Sequence, residues 1–538
     1  MKNSHITLVA EGQTGYTIVA PPDAPRPIRF AAEELQRYIG EMTGVRLPIS
    51  SHANGNAAVV IQENDGSDPA LNTRGEDAYA MRTDGNRILL TGNSPRAALY
   101  AVYHFLEKYL GCGWCAPGDD TAPKRSTIRL PEFNDVVGPP AFAMRQIILF
   151  PYGGEHLVMN NLLHTDWMAK NRLNWAHPAP NAPRVWEHNR SRLIFTPEAV
   201  KRGLRIEVGG HAFNIWVPSD SYAADHPEYF AQIEDGARAT DGSHKGGLCL
   251  SNRDVVDTVA ENITQWLDAN PEVNAVDLWH NDSHTYCLCP RCTPPGLSKQ
   301  ESQVAYTRAY IRFVNEVTER VTRKRPDVLV NLLAYFHTMV LPDDAEPLHD
   351  NVLVGLCLYP RPGQRTMRPI ETSEQPRDVL FREQLLRWPT YAKNFYVYEY
   401  YTVGEQYKLW SMVSMICEDM RYFRRLGITG ISSDQWGPGW YPLNMYAYAK
   451  LCWNPDLTPE EIIEDFCRRR YGGAAQAMMD YWNLLEEGLR ESWTTQDPID
   501  WRDGQRRDAV RKALSQADSE QVERRIRSTA ALHQLTEI

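Results

Sequence analysis

The feature that most constrains the fold is a series of apolar, strand-like runs that alternate with helical stretches after Gly138. Such alternation is typical of βα units around a parallel sheet. The runs are Arg145–Leu149, Arg172–Trp175, Leu204–Val208, Ala275–Trp279, Val328–Leu333, Val352–Cys357, Phe395–Glu399 and Ile428–Ser432. Because eight parallel strands close a barrel, the sequence predicts an α/β fold of the (β/α)8 (TIM) class.

The connections between these runs support the same interpretation. Amphipathic helical stretches follow the fourth, seventh and eighth runs, at Tyr306–Arg323, Met412–Arg424 and Leu443–Trp453. No good helix follows the fifth run. The barrel is therefore predicted to span residues 138–455 with one irregular connection.

The sequence on either side of the barrel has different patterns of apolar and polar residues. Residues 1–137 predict a small α+β domain, with a helix at 29–45 that ends at Gly44, strands at 57–62 and 87–91, and a helix that begins at Ser94-Pro95. Beyond Pro459 the pattern is helical almost to the end, which predicts a C-terminal helical extension over residues 456–538.

Charge and hydropathy exclude two classes of partner. The net charge of -11 comes without a basic stripe, so nucleic-acid binding is not expected. No run of 18 apolar residues occurs, so no membrane span is expected. The first 15 residues do not read as a signal peptide, so the expected location is cytoplasmic unless a leader has been removed. The oligomeric state stays open.

In a barrel of this class the working residues follow the C-terminal ends of the strands. Those positions are polar and aromatic here, which suits a carbohydrate cleft. The predicted substrate-binding residues are His211, Trp279, His280, Asn281, Tyr335, His337, Tyr398, Asp434, Trp436 and Trp440. Each has a structural alternative: a core hydrogen bond for the histidines, packing for the rings and a turn or helix cap for Asp434.

Cleavage of a glycosidic bond needs one carboxyl group to protonate the leaving oxygen and a second to attack the sugar or activate water. Asp282 and Glu399 are the predicted catalytic pair. Glu399 lies inside YVYEYY at a strand end, where an unpartnered carboxylate is costly to bury. The alternatives are a structural carboxylate at Glu399 and ordinary turn chemistry at Asp282. No cofactor is expected for this chemistry.

The run Cys287-Leu-Cys289-Pro-Arg-Cys292 is the most distinctive in the chain. Its spacing suits zinc if His284 or the distant Cys249 supplies a fourth ligand, but the locally paired motif is one ligand short. Free thiols are therefore preferred over a metal site. The other cysteines read as buried packing thiols.

Several segments resemble a known family. They are FAAEELQRYIGEMTGVRLPI, RILLTGNSPRAALYAVYHFLEKYLGCGWCAPGD, HAFNIWVPSDSYAADHPEYFAQIEDGARAT, LCLSNRDVV and NDSHTYCLCPRC. The first two are similar to the α+β domain that precedes the barrel in α-glucuronidases and β-N-acetylhexosaminidases. Together the segments resemble the proteins grouped as domain of unknown function 4838, from about residue 5 to about 450.

This resemblance implies glycoside hydrolysis without fixing the sugar, since one branch of the family is classed as endo-β-N-acetylglucosaminidases. Asn281-Asp282 and Glu399 also look like the Asn-Glu acid/base and nucleophilic Glu of retaining barrel glycosidases, with Asp in place of the first Glu. An amino-sugar- or uronide-containing glycan is the expected substrate. Arg361, Arg365 and Arg368 after the sixth run are candidates to bind an acidic sugar, although a solvated, salt-bridged loop face is the preferred interpretation of these arginines. The alternatives are an inactive carbohydrate-binding protein and a metal-dependent hydrolase or lyase.

Overall fold

The structure is a computed structural model. It describes residues 5–52, 55, 57–149, 156–178, 191–234, 236–241, 247–359, 368–401, 411–435, 441–495 and 501–535, and side chains 156–161, 178, 191–193 and 435 are not described. Trp436 and Trp440, together with Arg361 and Arg365, lie outside the described residues.

A closed parallel barrel forms the centre of the molecule, which confirms the predicted fold class. It closes where its first strand pairs with its last, with Met144 beside Gly430. The strands, numbered from the start of the chain, are β11 Met144–Leu149, β12 Trp175–Pro178, β13 Arg205–Val208, β14 Ala275–Asp277, β15 Leu329–Ala334, β16 Val352–Cys357, β17 Asn394–Glu399 and β18 Gly430–Gln435. All eight predicted runs correspond to barrel strands, although β12 and β18 begin and end two or three residues later than predicted.

Helices surround the barrel and continue beyond it. After β15 only a short 3-10 helix, Phe336–Thr338, precedes β16, as the sequence predicts. The longer helices are His156–Lys170, Ser191–Lys201, Arg253–Asp268, Lys299–Thr322, Pro376–Arg387, Val413–Arg425, Pro442–Trp453, Pro459–Tyr471, Ala475–Thr495, Asp503–Ser515 and Glu520–Leu532. Buried residues of the last four helices belong to the same hydrophobic core as the barrel, so the predicted C-terminal extension packs onto it.

The small N-terminal domain is built around a six-stranded sheet. Its strands are β2 Thr17–Val19, β3 Ile49–Ser50, β4 Ala58–Glu63, β5 Tyr79–Asp84, β6 Arg87–Gly92 and β10 Asn134–Val137, in the sheet order β10-β5-β6-β4-β2-β3, with helices Arg26–Thr43, Pro69–Asn72 and Pro95–Lys108. As the sequence predicts, Gly44 ends helix Arg26–Thr43 in a left-handed conformation and the Ser94 side chain caps helix Pro95–Lys108. The first of these helices begins at Arg26 rather than at the predicted Arg29.

Two further pairs of short strands complete this region: β1 Ile6–Val9 with β9 Ile128–Leu130, and β7 Gly113–Trp114 with β8 Asp120–Thr121. The boundaries at residues 137/138 and 455/456 stay predictions. Among the described residues, no helix has the length and apolarity needed to cross a bilayer.

Candidate active site at the C-terminal end of the barrel

Alternation along the strands decides which side chains reach the barrel interior. In β17, Tyr396 and Tyr398 belong to the interior cluster, whereas Phe395 and Val397 belong to the outer core against the helices. Glu399 is the last residue of this strand and continues the outer series. Its carboxylate Oε2 accepts the N–H of the adjacent Tyr400 at 3.1 Å.

Aromatic rings form a continuous wall near the ends of the strands. Tyr398 and Tyr400 stack with ring centroids 4.9 Å apart, and Tyr359 lies 4.8 Å from Tyr400. Trp279 approaches Tyr398 at 5.8 Å, which continues the wall towards β14. Tyr335 lies 6.5 Å from Tyr359 and extends it towards β15. Tyr359 and Tyr400 are half-buried and offer flat apolar faces of the kind on which sugar rings pack, whereas Trp279, Tyr335 and Tyr398 are buried.

The predicted acids differ in their exposure to solvent. Asp282 is exposed, and Tyr335 Oη donates to its Oδ1 at 3.3 Å. Glu399 is fully buried, and Asp434 is 2% exposed with Tyr398 Oη donating to its Oδ2 at 3.3 Å. Asp282 and Asp434 therefore each accept from a tyrosine hydroxyl of the wall, and Glu399 accepts from the backbone N–H of Tyr400.

The predicted histidines fall into two groups. His211 is half-buried, and its ring lies 5.6 Å from that of Trp279, at the strand ends. His280 is buried, stacks beside Tyr335 and has its pKa lowered by burial to about 4. His280 is therefore neutral at pH 7 and packs against the ring of Tyr335.

His337 lies on the 3-10 helix after β15, and its ring centroid is 4.4 Å from that of His280. It is buried with its ring 4.9 Å from Tyr286 and 5.3 Å from Tyr306, and burial lowers its pKa well below the usual range. The structure therefore places His337 in a packed aromatic environment, and its substrate-binding role stays a prediction.

Two buried donors at the strand ends have no protein acceptor among the described residues. They are the Nδ2 group of Asn281 and the Nε1 group of Trp279, whose residues are 4% and 1% exposed. An unsatisfied buried donor costs free energy unless water or a ligand accepts its hydrogen. These two groups are therefore suited to bind an oxygen-rich ligand.

A guanidinium that sequence reasoning missed lies beside the aromatic wall. Arg377, at the start of helix Pro376–Arg387, donates to the Tyr359 carbonyl oxygen at 3.2 Å, and its Nε has no partner in the described part of the chain. Burial lowers its pKa, although the nearby Cys357 and Tyr335 groups oppose this effect. No sequence signal marks Arg377, because a long connection separates it from the end of β16, where site residues are expected.

A buried carboxyl pair inside the barrel was also missed. Asp277 and Glu207 are fully buried on neighbouring strands, and His177 Nε2 lies 3.0 Å from Asp277 Oδ2. Burial, reinforced by the neighbouring Asp277, raises the pKa of Glu207 to about 8, and burial raises the pKa of Asp277 to about 7. The sequence signal was an acidic residue in the middle of each apolar run.

The atoms of His177, Glu207 and Asp277 lie close enough to consider a metal ion. Gln146 and Asn331, however, each donate an amide N–H to one Glu207 oxygen at 2.6 Å. Such donors oppose a cation, and complete burial removes the open position that a catalytic metal requires. The group therefore fits a pair of protonated carboxyls better than a metal centre.

The raised pKa values of Glu207 and Asp277 predict that the free energy of unfolding depends on pH. Glu207→Gln is expected to reduce this dependence. Unfolded carboxyls titrate near pH 4, so between about pH 4 and about pH 8 the folded pair retains protons that the unfolded chain has lost. The stabilisation is therefore present below about pH 4 and is lost as pH rises through the folded pKa values.

Urea unfolding of the wild type and Glu207→Gln at intervals from pH 5 to 8.5 measures this effect. The difference between the two free energies of unfolding should change with pH in favour of the variant at high pH. The exposed Glu33→Gln is the matched control and should follow the wild type. Parallel curves for the wild type and Glu207→Gln would show that the folded pair does not retain these protons.

The comparisons with known proteins agree with this architecture. The family model described as Domain of unknown function (DUF4838) matches residues 114–483, and the model described as Glycosyl hydrolase family 67 N-terminus matches residues 10–105. Both predicted resemblances are thereby confirmed. The search of curated proteins finds no match.

Two solved structures illustrate the likeness of fold. One is a family GH115 4-O-methyl-α-glucuronidase with specificity for decorated arabinogalactans, at 13% identity and a TM-score of 0.65, covering 98% of this chain and 73% of that chain. The other is a GH138 enzyme targeting pectin rhamnogalacturonan II, at 12% identity and a TM-score of 0.60, covering 95% and 67%. The fold is therefore one that glycoside hydrolases use.

Proposed function

The chain belongs to the family described as Domain of unknown function (DUF4838), and from this premise we propose that it is a glycoside hydrolase acting on a uronic-acid-containing glycan. The observation that carries the proposal is the grouping of carboxylates and aromatic rings at the C-terminal end of the barrel. Asp282 follows β14 and accepts from the hydroxyl of Tyr335, and Glu399 ends β17 and accepts the backbone N–H of Tyr400. Fold alone does not assign chemistry, so the argument rests on these groups.

The proposed reaction uses the two carboxyl groups in different roles. Asp282 is exposed to solvent and protonates the leaving oxygen, as a general acid. Glu399 attacks the sugar or activates water. Asp434 holds Tyr398 in place through its hydrogen bond and is the reserve carboxylate. The chemistry needs no cofactor.

The wall and the unsatisfied donors support a sugar as the ligand. A sugar ring packs against Tyr359 and Tyr400, the half-buried rings of the wall, and its hydroxyl oxygens accept from Asn281 Nδ2 and Trp279 Nε1. These contacts would also suit a binding protein without activity. Turnover distinguishes the two cases, since such a protein would retain affinity but cleave nothing.

The partly buried guanidinium of Arg377 favours a uronide over an amino sugar. Its hydrogen bond to the Tyr359 carbonyl fixes it beside the aromatic wall, and its Nε has no partner among the described residues. Arginine binds planar carboxylates through two parallel hydrogen bonds. The proposal therefore assigns Arg377 to the carboxylate of the substrate.

Arg377→Gln tests this assignment. The variant should lower kcat/KM for an aryl uronide by at least about tenfold, the effect of one lost charge-assisted hydrogen bond. Any turnover of the corresponding neutral aryl glycoside should change little, because it carries no carboxylate. Arg382→Gln is the matched control, since Arg382 lies on the same helix but donates to the Ile370 carbonyl. Equal losses on the two substrates would contradict a role in carboxylate recognition.

A further inference from the structure

Four cysteines from separate parts of the sequence meet beside the barrel. Cys249 lies before helix Arg253–Asp268, and Cys287, Cys289 and Cys292 lie between β14 and helix Lys299–Thr322. Their sulfur atoms all lie within 4.8 Å of one another, and all four residues are buried. The fourth ligand that the local motif lacks is therefore supplied by Cys249.

The spacing of the sulfurs matches a tetrahedral metal site. Zinc bound to thiolates at about 2.3 Å in a tetrahedron separates the sulfurs by about 3.8 Å. Cys249 Sγ and Cys289 Sγ are 3.7 Å apart. A disulfide would need about 2.05 Å, so this separation does not describe a bonded pair.

Polar groups lie beside two of the sulfurs. The backbone N–H of Gln232 donates to Cys287 Sγ at 3.4 Å, and a donor of this kind stabilises the thiolate form that a metal requires. The Cys292 thiol donates to Ser251 Oγ at 3.2 Å. A turn closed by the Cys292 N–H to the Cys289 carbonyl at 3.0 Å brings the two sulfurs of the C-x-x-C unit to one side.

We infer that Cys249, Cys287, Cys289 and Cys292 bind one structural zinc ion. Four sulfur ligands in a tetrahedron favour zinc or iron, and a closed, buried set with no position for water is typical of structural zinc. The assignment replaces the interpretation of this run as free thiols. It does not depend on the proposed hydrolase activity.

The position of the ion explains why the site is useful to the fold. Residues 278–298 form no helix or strand, and this segment carries Asn281 and Asp282 as well as three of the cysteines. A tetrahedral ion ties the segment to the connection that follows β13, through Cys249. The zinc thereby fixes the chain that presents Asp282 at the end of the barrel.

Elemental analysis of the purified full-length chain tests the inference. After gel filtration in metal-free buffer, we expect about one zinc per chain. Cys289→Ser should reduce the zinc content at least about tenfold. Cys417→Ser should leave it unchanged, because Cys417 is a buried thiol in helix Val413–Arg425 and is not one of the four cysteines.

A second measurement covers the case in which Cys289→Ser does not fold. Treating the wild type with a mercurial in the presence of a colorimetric zinc indicator should release about one equivalent of zinc as the thiols react. Folded wild-type protein that contains no zinc after growth in zinc-replete medium would overturn the inference. Stoichiometric iron in place of zinc, or disulfide bonds among the four cysteines, would overturn it equally.

Discussion

Glu399→Gln is expected to lower kcat for the best glycoside substrate by at least about a hundredfold while leaving the fold intact. Glutamine has nearly the same shape as the buried glutamate and can still accept the Tyr400 N–H through its carbonyl oxygen. It cannot attack a sugar or take a proton from water at neutral pH. Initial rates with an aryl glycoside, together with circular dichroism, measure both parts of this prediction.

The matched control is Glu371→Gln, because Glu371 is an exposed acid that pairs with Arg425 on the outer surface. Its turnover should equal that of the wild type. If Glu399→Gln retains wild-type turnover, another carboxylate performs the reaction, and Asp434 becomes the first alternative.

Asp77→Ala is expected to lower the free energy of unfolding by about 3–5 kcal/mol, because it leaves two buried guanidinium groups without their counter-ion. Asp77 is 6% exposed and joins Arg96 of the N-terminal domain to Arg145 of β11, at 2.7 Å from each. Its Oδ2 also accepts from Asn174 Nδ2 at 3.0 Å. Equilibrium urea unfolding measures the loss.

The pKa of Asp77 gives this prediction a pH signature. Burial alone would raise the pKa, but the Arg145 and Arg96 charges overcome that effect and lower it to about 2. The stabilisation by the carboxylate is therefore present above pH 4 and is lost as pH falls towards 2. The exposed pair of Glu33 with Arg26 is the control, and Glu33→Gln should change stability little. Similar small losses in both variants would show that Asp77 does not join the two parts.

Much of the barrel could be predicted because its strands are buried on both faces. Val352–Cys357 matches the observed β16 at both ends, since each of its residues is buried and the run is uninterrupted. The second strand was predicted from Arg172, but β12 begins at Trp175. Arg172 has a φ of 63° and ends the preceding helix in a left-handed turn, which the residue type does not signal.

Helix starts were missed where the first turn is polar. Helix Lys299–Thr322 begins well before the predicted Tyr306, at a capping box in which Ser298 and Glu301 bind each other's backbone N–H. Its exposed first turns carry no apolar periodicity, so only the capping residues marked them.

The candidate site was less predictable, since it depends on contacts between distant segments. Cys249 was recognised as one option for a fourth sulfur, but its distance along the chain hid its proximity to Cys289. Arg377 carries no local motif at all. Glu207 and Asp277 were read only as parts of strands, because their partnership requires the register of two neighbouring strands.

The measurement that tests the central claim most directly is turnover of a panel of aryl glycosides by the wild-type chain. The panel contains α- and β-linked uronides, N-acetylglucosaminides and neutral hexosides, with Glu399→Gln purified in parallel to exclude a contaminating hydrolase. We expect release of the aryl group from at least one uronide, at a higher kcat/KM than from the neutral counterpart, and none above background with the variant. Binding of uronides without release from any member of the panel would contradict the hydrolase and leave a carbohydrate-binding protein on this barrel.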